Sequence, residues 1–199
     1  MTRPLILASG SAARADMLRG AGLTFDTQVA RVDEAAIKAA MLAEGAPARD
    51  IADTLAETKA MRVASKHPEA LVLGADQILV FKGEIFDKPG SIDEAADQLR
   101  TLRGQTHELL SAAVIFEEGR PVWRHIGRAQ LMMRPFSDAF LEGYLAAEGD
   151  GTLATVGSYK LEGRGAQLFT RVQGDYFSVL GLPLLEVLGF LRTRGVIVE

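Results

Sequence analysis

Asp76 and Gln77 interrupt Leu73-Gly74-Ala75-Asp76-Gln77-Ile78-Leu79-Val80, a strand-like run that is otherwise apolar on both faces. Burying a carboxylate is costly unless a cation, a metal or hydrogen-bond donors meet it. An aspartate so placed either caps a structural turn or is held for chemistry, and apolar neighbours on both sides favour the second reading. Gly74 permits a bulge or a close backbone approach there. Lys59 poses a similar question. At about 100° per residue, Ile51, Ala52, Leu55, Ala56, Ala60 and Val63 cover half of a helical wheel, and Lys59 falls near their middle. Such a lysine snorkels or points into a cleft, and Arg62 and Lys66 on one side of the arc make a solvated basic edge the competing reading.

Two further segments supply groups that suit phosphate. In Leu7-Ala8-Ser9-Gly10-Ser11-Ala12-Ala13-Arg14 a strand gives way to small residues and then to a helix with an arginine in its first turn. Small side chains expose backbone N–H groups, a helix start favours anions, and an arginine adds a forked donor. Lys88 stands in the turn Phe86-Asp87-Lys88-Pro89-Gly90, close after the Asp76 strand. Arg14, Lys59 and Lys88 would together line one anionic site. The carboxylates Asp33, Glu34 and Asp76 are hard oxygen ligands, suited to Mg²⁺ or Mn²⁺ bound with a polyphosphate. Three cations, a hard-metal site and an isolated aspartate point to phosphoanhydride hydrolysis. In that chemistry Asp76 deprotonates or orients a water. The pattern does not say which phosphorus is attacked.

The elements that must position these groups follow from hydrophobic periodicity and breakers. Leu5–Ala8 is expected as a buried strand and residues 12–21 as a helix stopped at Gly20 and Gly22. Pro47 opens a helix to about His67, before Pro68. Residues 70–81 form a polar-interrupted strand, followed by the turn Lys82-Gly83-Glu84. Ser91 caps a helix over residues 93–102, with Glu94 placed for a capping box and Gly104 ending it. Strands follow over about 107–116 and 122–133, then a Ser137-capped helix to about Ala147. Pro183 opens a last helix over 184–194, and Val196–Val198 is a terminal strand or tail. The alternation lacks strict βαβ regularity, so the expected class is α/β with a mixed sheet.

Composition closes off other chemistries. The 199 residues are 48% hydrophobic and 24% charged, which is ordinary for a globular chain, and the length fits one domain over residues 1–199. Lys and Arg number 22 against 26 Asp and Glu, for a net charge of -4, so no basic excess exists to bind a nucleic acid polymer. The absence of cysteine excludes disulfides, thiolate metal sites and cysteine nucleophiles, and His67, His107 and His125 lack ligand spacing. The apolar run at the start is too short for a signal-peptide core, and no stretch reaches about 18 uninterrupted apolar residues. The expectation is a cytoplasmic protein without a membrane partner.

The same residues carry a family resemblance that spans essentially the whole chain. Leu5-Ile6-Leu7-Ala8-Ser9-Gly10-Ser11-Ala12-Ala13-Arg14 resembles the LASxSPRR-type opening of the Maf family, the septum formation inhibitor proteins, which are nucleoside triphosphate pyrophosphatases. Glu57-Thr58-Lys59-Ala60 is similar to its E-x-KA segment, Gly74-Ala75-Asp76 to its GAD, and Lys88-Pro89 to its KP. Residues 174–184, GDYFSVLGLPL, are similar to its closing GxYxNVxGLPL. The resemblance implies a two-lobed, ITPase-like mixed α/β fold with a central cleft, and an NTP → NMP + PPi reaction. It implies Asp76 as base, Ser9, Arg14, Lys59 and Lys88 as phosphate ligands, and Asp33 or Glu34 with Asp76 as metal carboxylates for Mg²⁺ or Mn²⁺.

Specificity is implied by three positions. Gln77 after Asp76, and Glu162 in Gly157-Ser158-Tyr159-Lys160-Leu161-Glu162-Gly163, resemble the branch that hydrolyses 7-methyl-GTP and related nucleotides. A carboxylate there would accept from the N1 and 2-amino donors of a guanine. That branch places Pro-Trp where this chain has Ala12-Ala13. Ala13 therefore lacks a stacking surface for a cationic methylated base, worth ~1–2 kcal/mol. Two other readings are a nucleotide-binding regulator of cell division without catalysis, and a nucleotidyltransferase. The latter usually has GxGxR spacing in its loop. A homodimer is the default assembly for a compact enzyme.

Overall fold

A computed structural model describes residues 3–197, which form a mixed sheet with helices. The elements run β1 (Leu5–Ala8), α1 (Ala12–Gly20), β2 (Asp26–Thr27), α2 (Glu34–Ala43), α3 (Ala48–Ala64), β3 (Leu71–Phe81), β4 (Glu84–Phe86) and α4 (Ile92–Leu102). They continue with β5 (Thr106–Glu117), β6 (Arg120–Met133), α5 (Asp138–Glu148), three 3₁₀ stretches within residues 149–168, β7 (Phe169–Gln173), α6 (Tyr176–Val179) and α7 (Leu184–Thr193). The strands pair in the order β2-β1-β3-β5-β6-β7, with β4 also on β3. β1 is parallel to both β2 and β3, whereas β3–β4 and β6–β7 are antiparallel.

Two compact units divide the chain. One contains the residues up to Gln77, Ser111–Gly127 and the residues from Gly181 onward; the other contains Ile78–Leu110 and Arg128–Leu180. Neither is a continuous stretch, which is why no linker-like composition marks a boundary. The first unit holds the parallel strands. Their register pairs Ala8 with Gly74, so Ser9 follows the carboxyl end of β1 while Asp76 lies two residues further along β3, in the part of that strand that runs on past β1 to Phe81. Ser11 caps α1 by accepting from the Arg14 N–H, and Leu7, Leu18, Ile51, Leu71 and Leu73 fill the core beneath.

The second unit packs around Leu79, Leu99, Leu102, Leu131, Met133, Tyr159 and Leu168. Helix α4 faces it with Ala95, Ala96, Leu99 and Leu102, which have the expected helical spacing. Ser91 caps that helix as expected. The carboxylate of Glu94, however, accepts from the Gly90 N–H, one residue before the reciprocal bond of a capping box. His107 is buried here: its Nε2 and the Tyr159 hydroxyl share a 2.6 Å hydrogen bond, and Nδ1 has no partner among the described residues. Burial lowers the His107 pKa from 6.5 to about 4, so the folded protein keeps it neutral. The unfolded chain takes up a proton below pH 6.5 that the folded chain refuses until about pH 4. Stability contributed by this residue, on the order of 3 kcal/mol, is therefore expected to be lost as pH falls through that window. Urea unfolding as a function of pH should show the loss, with a shallower slope in His107→Gln; equal slopes would contradict it.

One helix departs from the sequence expectations. No helix was expected over residues 34–43, yet α2 forms there: the Asp33 carboxylate accepts from the Ala36 N–H, and alanines dominate the segment. That is a good N-cap before a strong helix former. At the other end, the expected strand or tail is a tail as far as it is described: Val196 and Ile197 make a bend. The Val196 N–H bonds to the Leu191 carbonyl and folds the chain onto the end of α7; Val198 lies outside the described residues.

Candidate active site

The first unit gathers most of the polar residues that interrupt apolar patterns. Asp76, on β3, and Lys59, on α3, are both buried and form an ion pair of 2.7 Å. The Lys59 ammonium also holds Glu34, the first residue of α2, at 2.8 Å. Lys59 therefore neither snorkels nor joins a solvated edge; it bridges two carboxylates. Gly74 makes the approach of α3 to β3 feasible. A Cβ at that position would stand 2.2 Å from the Ala56 carbonyl oxygen and 2.7 Å from the Ala60 nitrogen, both on α3. A hydrogen is the only side chain that lets this helix lie against the strand and bring Lys59 to Asp76.

Arg14 forms the second arm. It is buried in the first turn of α1, where its Nη1 donates to Ser9 Oγ at 3.0 Å and its Nε donates to the Gly181 carbonyl at 2.8 Å. Gly181 has φ +105°, a backbone conformation that side-chain-bearing residues rarely adopt, and it presents that carbonyl to the guanidinium. Ser9 Oγ also accepts from the Ser11 N–H at 3.2 Å, which leaves its own O–H as a donor. Gln77 donates its Nε2–H to Ser111 Oγ at 3.0 Å.

Burial and charge act in opposite directions on Asp76. Desolvation raises its pKa above the usual 3.8, and the charges of Lys59 and then Arg14 oppose this without cancelling it. The result is a carboxylate more basic than an exposed one. Lys38, one helical turn after Glu34 on α2, lies close enough to interact with both Asp76 and Glu34, although burial lowers its pKa. Arg14, Lys38 and Lys59 against Glu34 and Asp76 leave the cluster with one net positive charge. That balance favours anions. Holding the charges of Arg14, Lys59 and Asp76 out of water is unfavourable for folding, and apolar replacements of similar volume are often as stable.

The remaining sequence-derived site residues are placed as follows. Ala13 is half-buried on α1, immediately before Arg14. Asp33 is exposed and its carboxylate caps α2, so of the three candidate metal carboxylates only Glu34 and Asp76 converge. Among the described residues no group of three His, Cys, Asp or Glu side chains is arranged to hold a metal. Lys88 and Glu162 belong to the second unit, Lys88 in the exposed turn between β4 and α4, Glu162 in an exposed turn between 3₁₀ stretches. Sequence reasoning missed Ser111, Lys38 and the Gly181 carbonyl. Ser111 left a signal, a hydroxyl in the apolar run Leu109–Phe116, and so did Lys38, at i+4 from Glu34. The Gly181 carbonyl left none, because its partner is 167 positions away.

Among the described residues no helix is long and apolar enough to cross a membrane. Residues 4–194 match the family described as Maf-like protein. A protein of Ruegeria pomeroyi named nucleoside triphosphate pyrophosphatase is 56% identical over 99% of both chains. Proteins bearing the same name in Caulobacter vibrioides and Rhodospirillum rubrum are 52% and 48% identical, over 96% of both chains and over 98% and 97% respectively. With the GAD aspartate ion-paired to the lysine of the E-x-KA segment, and the GLPL glycine holding the arginine of the opening signature, this chain belongs to the Maf family.

Proposed function

We propose that the chain is a nucleoside triphosphate pyrophosphatase that converts an NTP to NMP and pyrophosphate. The observation that supports this best is the buried Asp76–Lys59 ion pair beside buried Arg14, with Glu34 on the lysine's other side: a base with raised pKa among cations. In this reading Asp76 takes a proton from the attacking water and the α–β phosphoanhydride breaks. Arg14, Lys59 and the Ser9 O–H, with Lys88, hold the phosphates and the charge that builds on the departing pyrophosphate. The names borne by the full-length relatives agree with it.

A divalent cation suits the donors present. Glu34 and Asp76 offer two hard oxygen ligands, and Mg²⁺ is commonly held by one or two carboxylates plus substrate phosphates and water. Bound there, Mg²⁺ or Mn²⁺ would supply charge neutralisation on the phosphates. For the base we propose a guanine-type, 7-methyl-GTP-like preference, with Gln77 and Glu162 reading its edge. An acceptor that a bound base covers and leaves unpaired costs ~1–3 kcal/mol, which would disfavour a pyrimidine by about ten- to a hundredfold in kcat/KM. Ala13 offers no ring to stack, so methylated and plain GTP should differ little.

A panel of 7-methyl-GTP, GTP, UTP and dTTP, run with wild type and Glu162→Gln, tests the reading. Turnover should vanish in excess chelator and return with Mg²⁺ or Mn²⁺. The guanine nucleotides should lead, and Glu162→Gln should narrow their lead. Full turnover in chelator would remove the metal from the reaction, and equal use of all four by both proteins would remove the assigned base preference.

A further inference from the structure

From Thr24 to Asp50 no residue is buried, the longest such stretch among the described residues. It lies wholly within the first unit and holds α2, whose ten residues add nothing to the core, whereas the adjoining α3 buries eight. Helices shorter than about 12–15 residues are marginal by themselves in water, so contacts with the rest of the unit must hold α2 in place. Those contacts are thin. Its half-buried apolar residues are Ile37 and Met41.

The segment nonetheless borders the candidate active site at three places. Gln28 ends the sheet pairing by donating its N–H to the Leu7 carbonyl at 3.0 Å. Val29 then lies against the Ser9-Gly10-Ser11 loop, its Cγ2 3.4 Å from where a Cβ on Gly10 would stand. Glu34 holds the Lys59 ammonium at 2.8 Å with about half of its own side chain exposed, and the carboxylates of Asp76 and Glu34 act on the Lys38 ammonium. At about 100° per residue Glu34, Ile37, Lys38 and Met41 fall on one arc of α2, so a single face carries both its apolar contacts and its charges. Both ends allow that face to lift. Residues 28–33 have no regular structure, and Gly45, at φ +73°, turns the chain toward Pro47 and α3.

Few buried apolar contacts and solvent-exposed backbone hydrogen bonds mark segments that open without global unfolding. A half-exposed ion pair adds little to hold them. A helix tied to a site through charges also responds to any ligand those charges bind. We infer that residues 29–45 form a flap over a polyphosphate site: α2 swings away to admit the substrate, then closes to bring Lys38 against the phosphates while Glu34 returns to Lys59. The polyphosphate is taken from the pyrophosphatase reading; the opening of α2 stands apart from it. Closure adds a cation where charge builds on the departing pyrophosphate and shields the site from bulk water.

Amide hydrogen exchange of the full chain, resolved by residue with NMR, tests the flap. It is measured on free protein, with Mg²⁺ and pyrophosphate, and with Mg²⁺ and α,β-methylene-GTP, whose bridging carbon resists cleavage. In the free protein the hydrogen-bonded amides of α2 should exchange about 100-fold faster than those of α3, because they need only a local opening. Either probe at saturation should slow α2 about tenfold beyond any change in α3, since the closed form binds it better. Lys38→Ala should lose most of that extra protection. Exchange in α2 as slow as in α3 in the free protein overturns the flap. So does extra protection that is missing with both probes or undiminished in Lys38→Ala. Turnover of GTP in parallel separates the two readings: hydrolysis without extra protection sinks the flap alone, and extra protection without hydrolysis sinks the pyrophosphatase reading alone.

Discussion

Asp76→Asn is expected to lower kcat by about 10²–10⁴-fold while nucleotide affinity stays near that of the wild type, because a positioned general base contributes about that much. The amide keeps the shape of the carboxyl and still accepts from Lys59 but takes no proton. A second signature follows from the raised pKa. The base must be ionised to act, so the acid limb of the wild-type kcat/KM profile should lie above the ordinary carboxylate value of 3.8, rising with pH as Asp76 loses its proton. That limb should be absent from the residual activity of Asp76→Asn. Wild-type turnover by the variant would make Asp76 a structural partner of Lys59 and nothing more.

The second large effect is expected at a residue with no side chain. Gly74→Ala places a methyl 2.2 Å from a backbone oxygen and 2.8 Å from the Ala60 Cβ, atoms that no rotamer change can move aside. Helix α3 must shift, and Lys59 goes with it. Overpacking of this kind costs about 1–3 kcal/mol of stability. A displacement near 1 Å at a catalytic group costs about 100-fold in rate. Urea unfolding should find a folded, weakened protein, and kcat/KM should fall about 100-fold. A variant with native kcat/KM would mean that the 2.7 Å contact between Lys59 and Asp76 is not required for turnover.

What the sequence made legible was polarity in the wrong place. Asp76, Lys59 and Arg14 stand out because each breaks an apolar or small-residue pattern, and all three prove to be buried. The sheet class and most helix boundaries were legible from periodicity, proline and serine caps, as α3, α4 and α5 illustrate. Helix α2 was not, because its alanine-rich sequence lacks an amphipathic stripe, and in the structure none of its residues is buried. The capping role of Asp33 stayed hidden for the same reason: with the helix unrecognised, there was nothing to cap. Two lobes were implied by the resemblance alone; composition marked no boundary, because the chain passes between the compact units at Gln77, Ser111, Gly127 and Gly181, inside strands or motifs rather than at linkers. Gly181 carried no trace of its contact with Arg14, since a backbone carbonyl looks the same in every residue.

Which phosphoanhydride bond breaks is read most directly from the products. Purified protein incubated with Mg²⁺ and GTP should yield GMP and pyrophosphate in equal amounts, each quantified separately, with no GDP and no orthophosphate at early times. Accumulation of GDP with orthophosphate would instead place the attack at the terminal phosphate, and the absence of any product from GTP, 7-methyl-GTP, UTP and dTTP alike would rule out the pyrophosphatase reaction.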